Sequence, residues 1–418
     1  MSEHPVMTAA PEPEAQHRDK RTRVSHRFGL KLLLATFASL LAILFCEATV
    51  RLLIPVTDHA RMIWDPNLGV RPGADQSGVF YRGRSIRGDF RFNGSGWNSP
   101  HEYMKEKESG TIRVCLLGDS EAEGQYVPND QMMSVSAERA MDRPDHRVEW
   151  YSFACSGFGT HHEYLALKHE VMQYQPDAVI LLFVDNDVYD SSPYLGTVVK
   201  TSPAFMLNDD HSLALMEPVE QEFSIWGRLA RHFAMYRLLK IQNYFGGEVV
   251  FDRTRPPIFF RAGAGDPKQS HQAGAGMSQP EREQKSWELI EALLGEMKSI
   301  CDDSDIPFGL VYRGCRPRVY QAWDGRSYDP PAKEVDPWCL NERIFEMGRS
   351  QLAPICQRLG IEYLDLTDTL IASVKKTGRR HDFVEDTHLN ADSHRAVGAA
   401  LGRLAERLIQ EGDFGDHP

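Results

Sequence analysis

From Thr111 to the C-terminus the chain alternates short apolar runs of strand length with helix-length segments, and this alternation leaves few folds open. It predicts strands at 112–117, 147–153, 178–184, 307–312 and 361–366, with helices at about 129–141, 161–174, 282–301, 342–359 and 391–411. A run such as Ala178-Val-Ile-Leu-Leu-Phe-Val184 has no polar face, so a strand built from it is covered on both sides. Strands of that kind, each followed by a helix, predict a parallel sheet between two helical layers: an α/β, three-layer, flavodoxin-like domain of five strands. With 418 residues, of which 42% are hydrophobic, the chain has ample material for such a core plus appendages.

The alternation breaks between residues 190 and 280. That region holds the amphipathic stretch from Phe223 to Leu239 and a Gly/Ala/Gln-rich loop at 262–279, and it reads as an insertion suited to a lid. Within it Ile225, Leu229, Phe233 and Leu238 recur at helical spacing, a stripe that predicts a core-facing side. Residues 55–110, rich in Gly, Arg and Asn and without sustained periodicity, read as an extended approach segment draped over the domain that follows at 111–418.

The N-terminus carries an address. Residues 1–27 are polar and then basic, with Arg18, Lys20, Arg21, Arg23 and Arg27, and predict a disordered cytoplasmic tail. The apolar stretch at 28–54 is interrupted only by Lys31, Glu47 and Arg51 and has the length of a membrane-spanning helix, for which about 20 residues suffice. Basic residues ahead of it predict a single-pass anchor in a bacterial inner membrane with the remaining chain outside the cytoplasm. A signal peptide cleaved near Cys46-Glu47-Ala48 is the competing reading, and it exports the same domain.

Charge and cysteines exclude other classes. A net charge of −12, with no Lys/Arg cluster outside the N-terminus, argues against a nucleic-acid partner and favours a neutral over an anionic substrate. The seven cysteines lack zinc-type spacing. Cys115 and Cys155 lie in strand-like stretches and read as core; Cys315 and Cys339 bracket a polar, Pro-rich loop, for which free thiols are the expected state and a bridge in an oxidising compartment the alternative, since spacing fixes no pairing.

The chemistry gathers where strands end. The first strand runs into Gly118-Asp119-Ser120, which sets a hydroxyl at the C-terminal edge of the sheet, where α/β proteins collect their ligands. Near the far end stands Glu385-Asp386-Thr387-His388, a base with two carboxylate candidates beside it. A serine nucleophile needs a histidine to take its proton and a carboxylate to orient that histidine. Gly157, after the second strand, and Asn186, after the third, are placed to donate hydrogen bonds to an oxyanion, although a tight turn and a helix cap are the plainer roles for them. His161, His162, Asp187 and Asp190 near the same strand ends read as solvated loop residues, and His394 as a surface residue of the last helix.

The order nucleophile, glycine, asparagine, acid–base pair resembles the SGNH/GDSL hydrolase superfamily over about 300 residues from Thr111 onward. Carried over, the resemblance implies Ser120 as nucleophile, the N–H groups of Ser120 and Gly157 with the Asn186 side chain as oxyanion donors, and His388 as base. Two blocks depart from the family pattern. Val184 stands where the third block has glycine, and the acid three residues before the histidine, where the family places aspartate, is Glu385. Asp386, two before it, resembles the alginate O-acetyltransferase variant and is preferred as the acid, with Glu385 the alternative. The anchor and approach segment look like those of bacterial membrane-tethered members.

The expected function is a serine esterase acting outside the cytoplasmic membrane on an acylated carbohydrate or other envelope ester, without metal or organic cofactor. An O-acetyltransferase that hands the acyl group to an exported polysaccharide shares the same triad. A non-catalytic carbohydrate-binding scaffold, keeping the fold as a platform, is the expectation from a different class.

Overall fold

The computed structural model describes residues 13–82, 86–143, 146–195, 198–242, 271, 273–325, 342–383 and 386–413. The chain divides into two units, one comprising Met1–Pro55 with Phe233–Met235 and the other the remainder. Part of the Gly/Ala/Gln-rich loop, together with Cys339 and Glu385, lies outside the described residues.

The first unit is built on one helix, Pro13–Leu53. It begins before Phe28, so the segment expected to be a disordered tail is helical from Pro13. Its stretch Phe28–Leu53, 26 residues with mean hydropathy 2.2, is long and apolar enough to cross a membrane. Phe28, Leu33, Phe37, Leu44 and Phe45 all stand exposed along it. Near its end the Glu47 carboxylate accepts the N–H groups of Ala234 at 2.7 Å and Met235 at 2.9 Å.

The second unit begins with two hairpins rather than the irregular approach segment expected. Strands β1 (Met62–Asp65) and β2 (Gly69–Pro72) pair antiparallel, as do β3 (Gln76–Arg82) and β4 (Ile86–Phe92). Trp97, just beyond, is buried with its ring edge on Phe153 at a centroid distance of 5.4 Å.

The central sheet consists of β5 (Thr111–Gly118), β6 (Arg147–Ala154), β7 (Ala178–Phe183), then, after a small antiparallel pair β8 (Ala204–Leu207) and β9 (Leu213–Met216), β10 (Phe308–Tyr312) and β11 (Glu362–Asp365). Its order is β11-β10-β7-β5-β6, with every pairing parallel. Counting only these five strands, that is the 2-1-3-4-5 order of a flavodoxin-like, doubly wound sheet. Alternate side chains feed opposite layers. Cys115, Leu117, Phe153, Leu181 and Leu310 pack with Leu165, Leu289, Leu293 and Met297 of the helices Thr160–His169 and Gln279–Asp302. Val114, Leu116, Ile180, Leu182 and Val311 pack with Met133, Val397, Leu401 and Leu404 of Met133–Met141 and Ala391–Asp413.

Three polar or apolar placements differ from expectation. His394 is buried, its Nδ1 accepting the Met133 N–H at 3.0 Å, because the face of the last helix that carries it packs on Met133–Met141. His161, His162 and Asp187 are buried as well. His162 stacks on Phe158 at 4.5 Å and shares a 2.6 Å hydrogen bond with Ser202 Oγ. Conversely, Ile225, Leu229 and Phe233 of the predicted core stripe stand exposed.

Candidate active site

The strand register brings the site residues level. Gly118, the last residue of β5, pairs with Ala154 on one side and Leu182 on the other. Ser120, Gly157 and Asn186 follow those three positions within a few residues, so all emerge at one edge of the sheet, where the strand order reverses between β5 and its neighbours.

The turn that carries Ser120 is sterically specified. A Cβ at Gly118 would sit 2.8 Å from the Ala122 Cβ, which is closer than side chains tolerate. Asp119 caps the short helix Ser120–Glu123, its Oδ1 accepting the Glu121 N–H at 2.9 Å, and Gly124 ends that helix at φ +69°. The Ser120 hydroxyl is thereby aimed off the end of the sheet at His388.

Ser120 Oγ lies 2.7 Å from His388 Nε2, and His388 Nδ1 lies 2.5 Å from Asp386 Oδ1. The same oxygen accepts the His388 backbone N–H at 3.0 Å, a local Asx-type turn that fixes the ring's approach. The other Asp386 oxygen pairs with Arg82 at the end of β3. Burial opposes an imidazolium, yet the Asp386 charge and hydrogen bond, with the Glu121 and Asp119 charges, outweigh it and hold the His388 pKa above its ordinary value. Burial likewise opposes the Asp386 carboxylate, but His388 and Arg82 outweigh it and depress its pKa. Tyr126 stacks on the imidazole at 3.8 Å and 14°.

A buried ion pair joins the serine turn to the histidine loop. Arg313, after β10, donates from Nε to Glu121 Oε1 at 2.8 Å and from Nη2 to the Thr387 carbonyl at 2.6 Å. The Leu389 N–H donates to Glu121 Oε2 at 2.9 Å. Burial alone would raise the Glu121 carboxyl; the charges of Arg313, His388 and Arg316 bring it down to about 2.

The donor loops are less complete. Gly157 has φ +84°, and no atom lies within 4 Å of where a Cβ would stand. Among the described residues its N–H donates to no protein acceptor. Asn186 spends its amide on carboxylates, Nδ2 lying 3.1 Å from Asp119 Oδ2 and 2.8 Å from Asp190 Oδ2. Glu163 and Asp187 are buried acids; burial pushes both carboxyls well above the usual range, helped by the charges of Asp119 and Asp190 at Glu163 and of Glu163 and Asp119 at Asp187. Val184 needs no glycine conformation, since its N–H donates to Asp187 Oδ2 at 2.7 Å and its φ is not positive.

Ser120, His388 and Asp386 are thus brought together, while Asn186 meets Asp119 rather than an open oxyanion position. Sequence reasoning missed Arg82, Tyr126 and the Glu121–Arg313 pair. Only Glu121 carried a signal, as an acid buried immediately after the serine. Among the described residues no group of three His, Cys, Asp or Glu side chains is arranged to hold a metal ion.

No family model matches this chain, and no curated protein matches it. Solved structures do. An acetyl xylan esterase, AlAXEase, aligns with 11% identity and a TM-score of 0.38 over 70% of this chain and 99% of its own. A variant of Axe2, an acetyl-xylooligosaccharide esterase from Geobacillus stearothermophilus, aligns with 10% identity and a TM-score of 0.38 over 72% of this chain and 96% of its own. TesA aligns with 8% identity and a TM-score of 0.36 over 70% and 98%. The chain's own sheet order is that of a flavodoxin-like, doubly wound α/β fold.

Proposed function

We propose that this chain is a serine esterase of the SGNH type, tethered to a bacterial inner membrane by Phe28–Leu53, with its catalytic domain on the extracytoplasmic side. The observation that carries the reading is the continuous hydrogen-bonded chain Ser120–His388–Asp386, 2.7 and 2.5 Å, at the edge of the sheet where the strand order reverses.

Ser120 Oγ attacks the ester carbonyl carbon as its proton passes to His388 Nε2. Collapse of the tetrahedral intermediate breaks the C–O bond, and the imidazolium returns the proton to the departing alcohol. Water then attacks the acyl-enzyme, losing a proton to His388, and the acid departs as the proton goes back to Ser120 Oγ. Asp386 holds the Nδ1–H tautomer and stabilises the imidazolium in both halves. The Gly157 N–H and the Ser120 N–H are the proposed oxyanion donors, joined by Asn186 once substrate draws its amide away from Asp119.

The substrate class is an acylated carbohydrate or similar envelope ester, with the basic residues before Phe28 on the cytoplasmic face. A fluorophosphonate probe tests the chemistry: the wild-type chain is labelled and hydrolyses an activated acetyl ester, whereas Ser120→Ala does neither. Equal labelling of the two removes Ser120 as nucleophile and leaves the scaffold reading.

A further inference from the structure

Large apolar side chains outside the N-terminal helix are left in solvent along one segment of the insertion. In the helix Ile225–Ala230, Ile225 is 68% exposed, Trp226 76% and Leu229 50%. At positions i, i+1 and i+4 they share one face, flanked by the exposed Arg228. Phe233 and Leu239 continue the exposed series. A soluble surface has little reason to gather an indole, a phenyl and branched aliphatics within so short a stretch.

Hydrogen bonds fix where in the chain this segment is held. Just after it, the N–H groups of Ala234 and Met235 are taken by Glu47, close to the C-terminal end of the apolar helix. On the other side of that helix's exit, Arg231 donates to the Ala60 carbonyl at 3.4 Å and Arg237 pairs with Asp58 at 2.7 Å. Phe233 therefore belongs to the same unit as the apolar helix, and Ile225–Ala230 ends three residues ahead of it in the chain.

We infer that Ile225, Trp226, Leu229 and Phe233 dock into the outer leaflet of the same bilayer that Phe28–Leu53 is proposed to span. The inference rests on that membrane reading. About 20 residues suffice to cross the hydrocarbon from Phe28, which puts Glu47 at its outer boundary, and Glu47 holds Ala234 and Met235, a few residues along the chain from the stripe. There an amphipathic helix buries its apolar face about 5–10 Å deep, with tryptophan at the boundary and arginine reaching the phosphates. A lone spanning helix leaves its cargo free to swivel. A second, in-plane contact removes that freedom.

The test uses the full chain in nanodiscs of phosphatidylcholine with a minority of phosphatidylglycerol, the acyl chains brominated either near the carbonyl end or near the methyl end. Trp226 emission is read as the difference between wild type and Trp226→Phe. About half or more of it is lost to the shallow bromines and distinctly less to the deep ones, as an interfacial depth requires. Emission untouched by either bromine overturns the inference, and so does shielding from iodide without lipid quenching, which marks a second copy on the stripe. Carbonate extraction of native membranes separates the two readings. A chain that stays in the pellet while Trp226 is unquenched retains the span and loses the docking stripe; a chain released to the supernatant loses both.

Discussion

Arg313 and Glu121 form a pair that is almost wholly out of solvent, with side-chain exposures of 0% and 2%, and removing one member exposes what the pair does. Arg313→Met leaves the Glu121 carboxylate buried with Arg316, 3.5 Å away, as its remaining arginine partner among the described residues. Breaking a buried ion pair from one side costs about 3–5 kcal/mol. The net depression of the Glu121 carboxyl, to which Arg313 contributes the largest charge, is of the same order. Burial raises the Glu121 carboxyl, yet Arg313, His388 and Arg316 bring it from 4.5 to about 2. At roughly 1.4 kcal/mol per pH unit that is about 3 kcal/mol. With an unfolding entropy near 2 cal/mol/K per residue, the melting temperature of a unit this large falls by about 4–6 °C. A depressed carboxyl stabilises the fold above the unfolded value of 4.5, and that contribution is lost as pH falls toward about 2. The gap between wild type and Arg313→Met therefore narrows on acidification. Near-UV circular dichroism melts of the full chain in detergent, at neutral and at acidic pH, read the effect. The double variant Arg313→Met/Glu121→Leu removes both charges and regains at least half of the lost melting temperature. Its ester turnover stays low, because the Thr387 carbonyl and Leu389 N–H have still lost the partners that hold the His388 loop. A single variant that melts with wild type, or a double variant no more stable than the single, refutes the reasoning.

Asp386→Asn lowers kcat by about 10⁴ by imposing the wrong imidazole tautomer, while Arg82→Met, which removes the buried ion-pair partner of that acid, lowers it by roughly ten- to a hundredfold; steady-state hydrolysis of an activated acetyl ester ranks them, and the reverse order contradicts the roles assigned. Because the Asp386, Glu121 and Asp119 charges outweigh burial and raise His388, and the base works neutral, kcat/KM rises with pH through a midpoint above 6.5 in a pH–rate profile. Burial pushes His394 down to about 4, so the fold loses this residue's contribution as pH drops from about 6.5 toward 4; His394→Leu, which lacks the titration, shows a flatter decline in melting temperature over that window.

The central sheet was legible because its middle strand is apolar on both faces and its neighbours are largely so, a property written directly in one dimension. Ala178–Phe183 is fully buried along its whole length. The hairpin β3–β4 was not legible for the converse reason. Its residues include Gln76, Gly78, Arg87, Gly88 and Asp89, and its order comes from tertiary contact: a Cβ at Gly88 would lie 2.1 Å from the Gln125 carbonyl oxygen. Periodicity also failed at Ile225, Trp226 and Leu229, where a helical stripe marks an apolar face without saying what covers it. His161, His162 and His394 were misplaced because burial of a histidine depends on partners such as Ser202 and the Met133 N–H, which sequence spacing does not reveal.

The acid's position explains why the N-terminal hairpin belongs to the site. An aspartate two residues before the histidine uses one oxygen, Oδ1, for both the backbone N–H and Nδ1 of His388. That economy leaves Oδ2 buried and facing away, in need of a cation that the loop itself does not supply. Arg82 of β3 supplies it. The hairpin and the residues just beyond it also brace the serine side: Asn98 accepts the Arg91 N–H and donates to the Glu123 carbonyl, and the Asp89 N–H donates to the Val127 carbonyl. Between those anchor points lies Tyr126, the ring stacked on His388. The short acid-to-histidine spacing and the hairpin are therefore two halves of one arrangement, and neither holds the imidazole without the other.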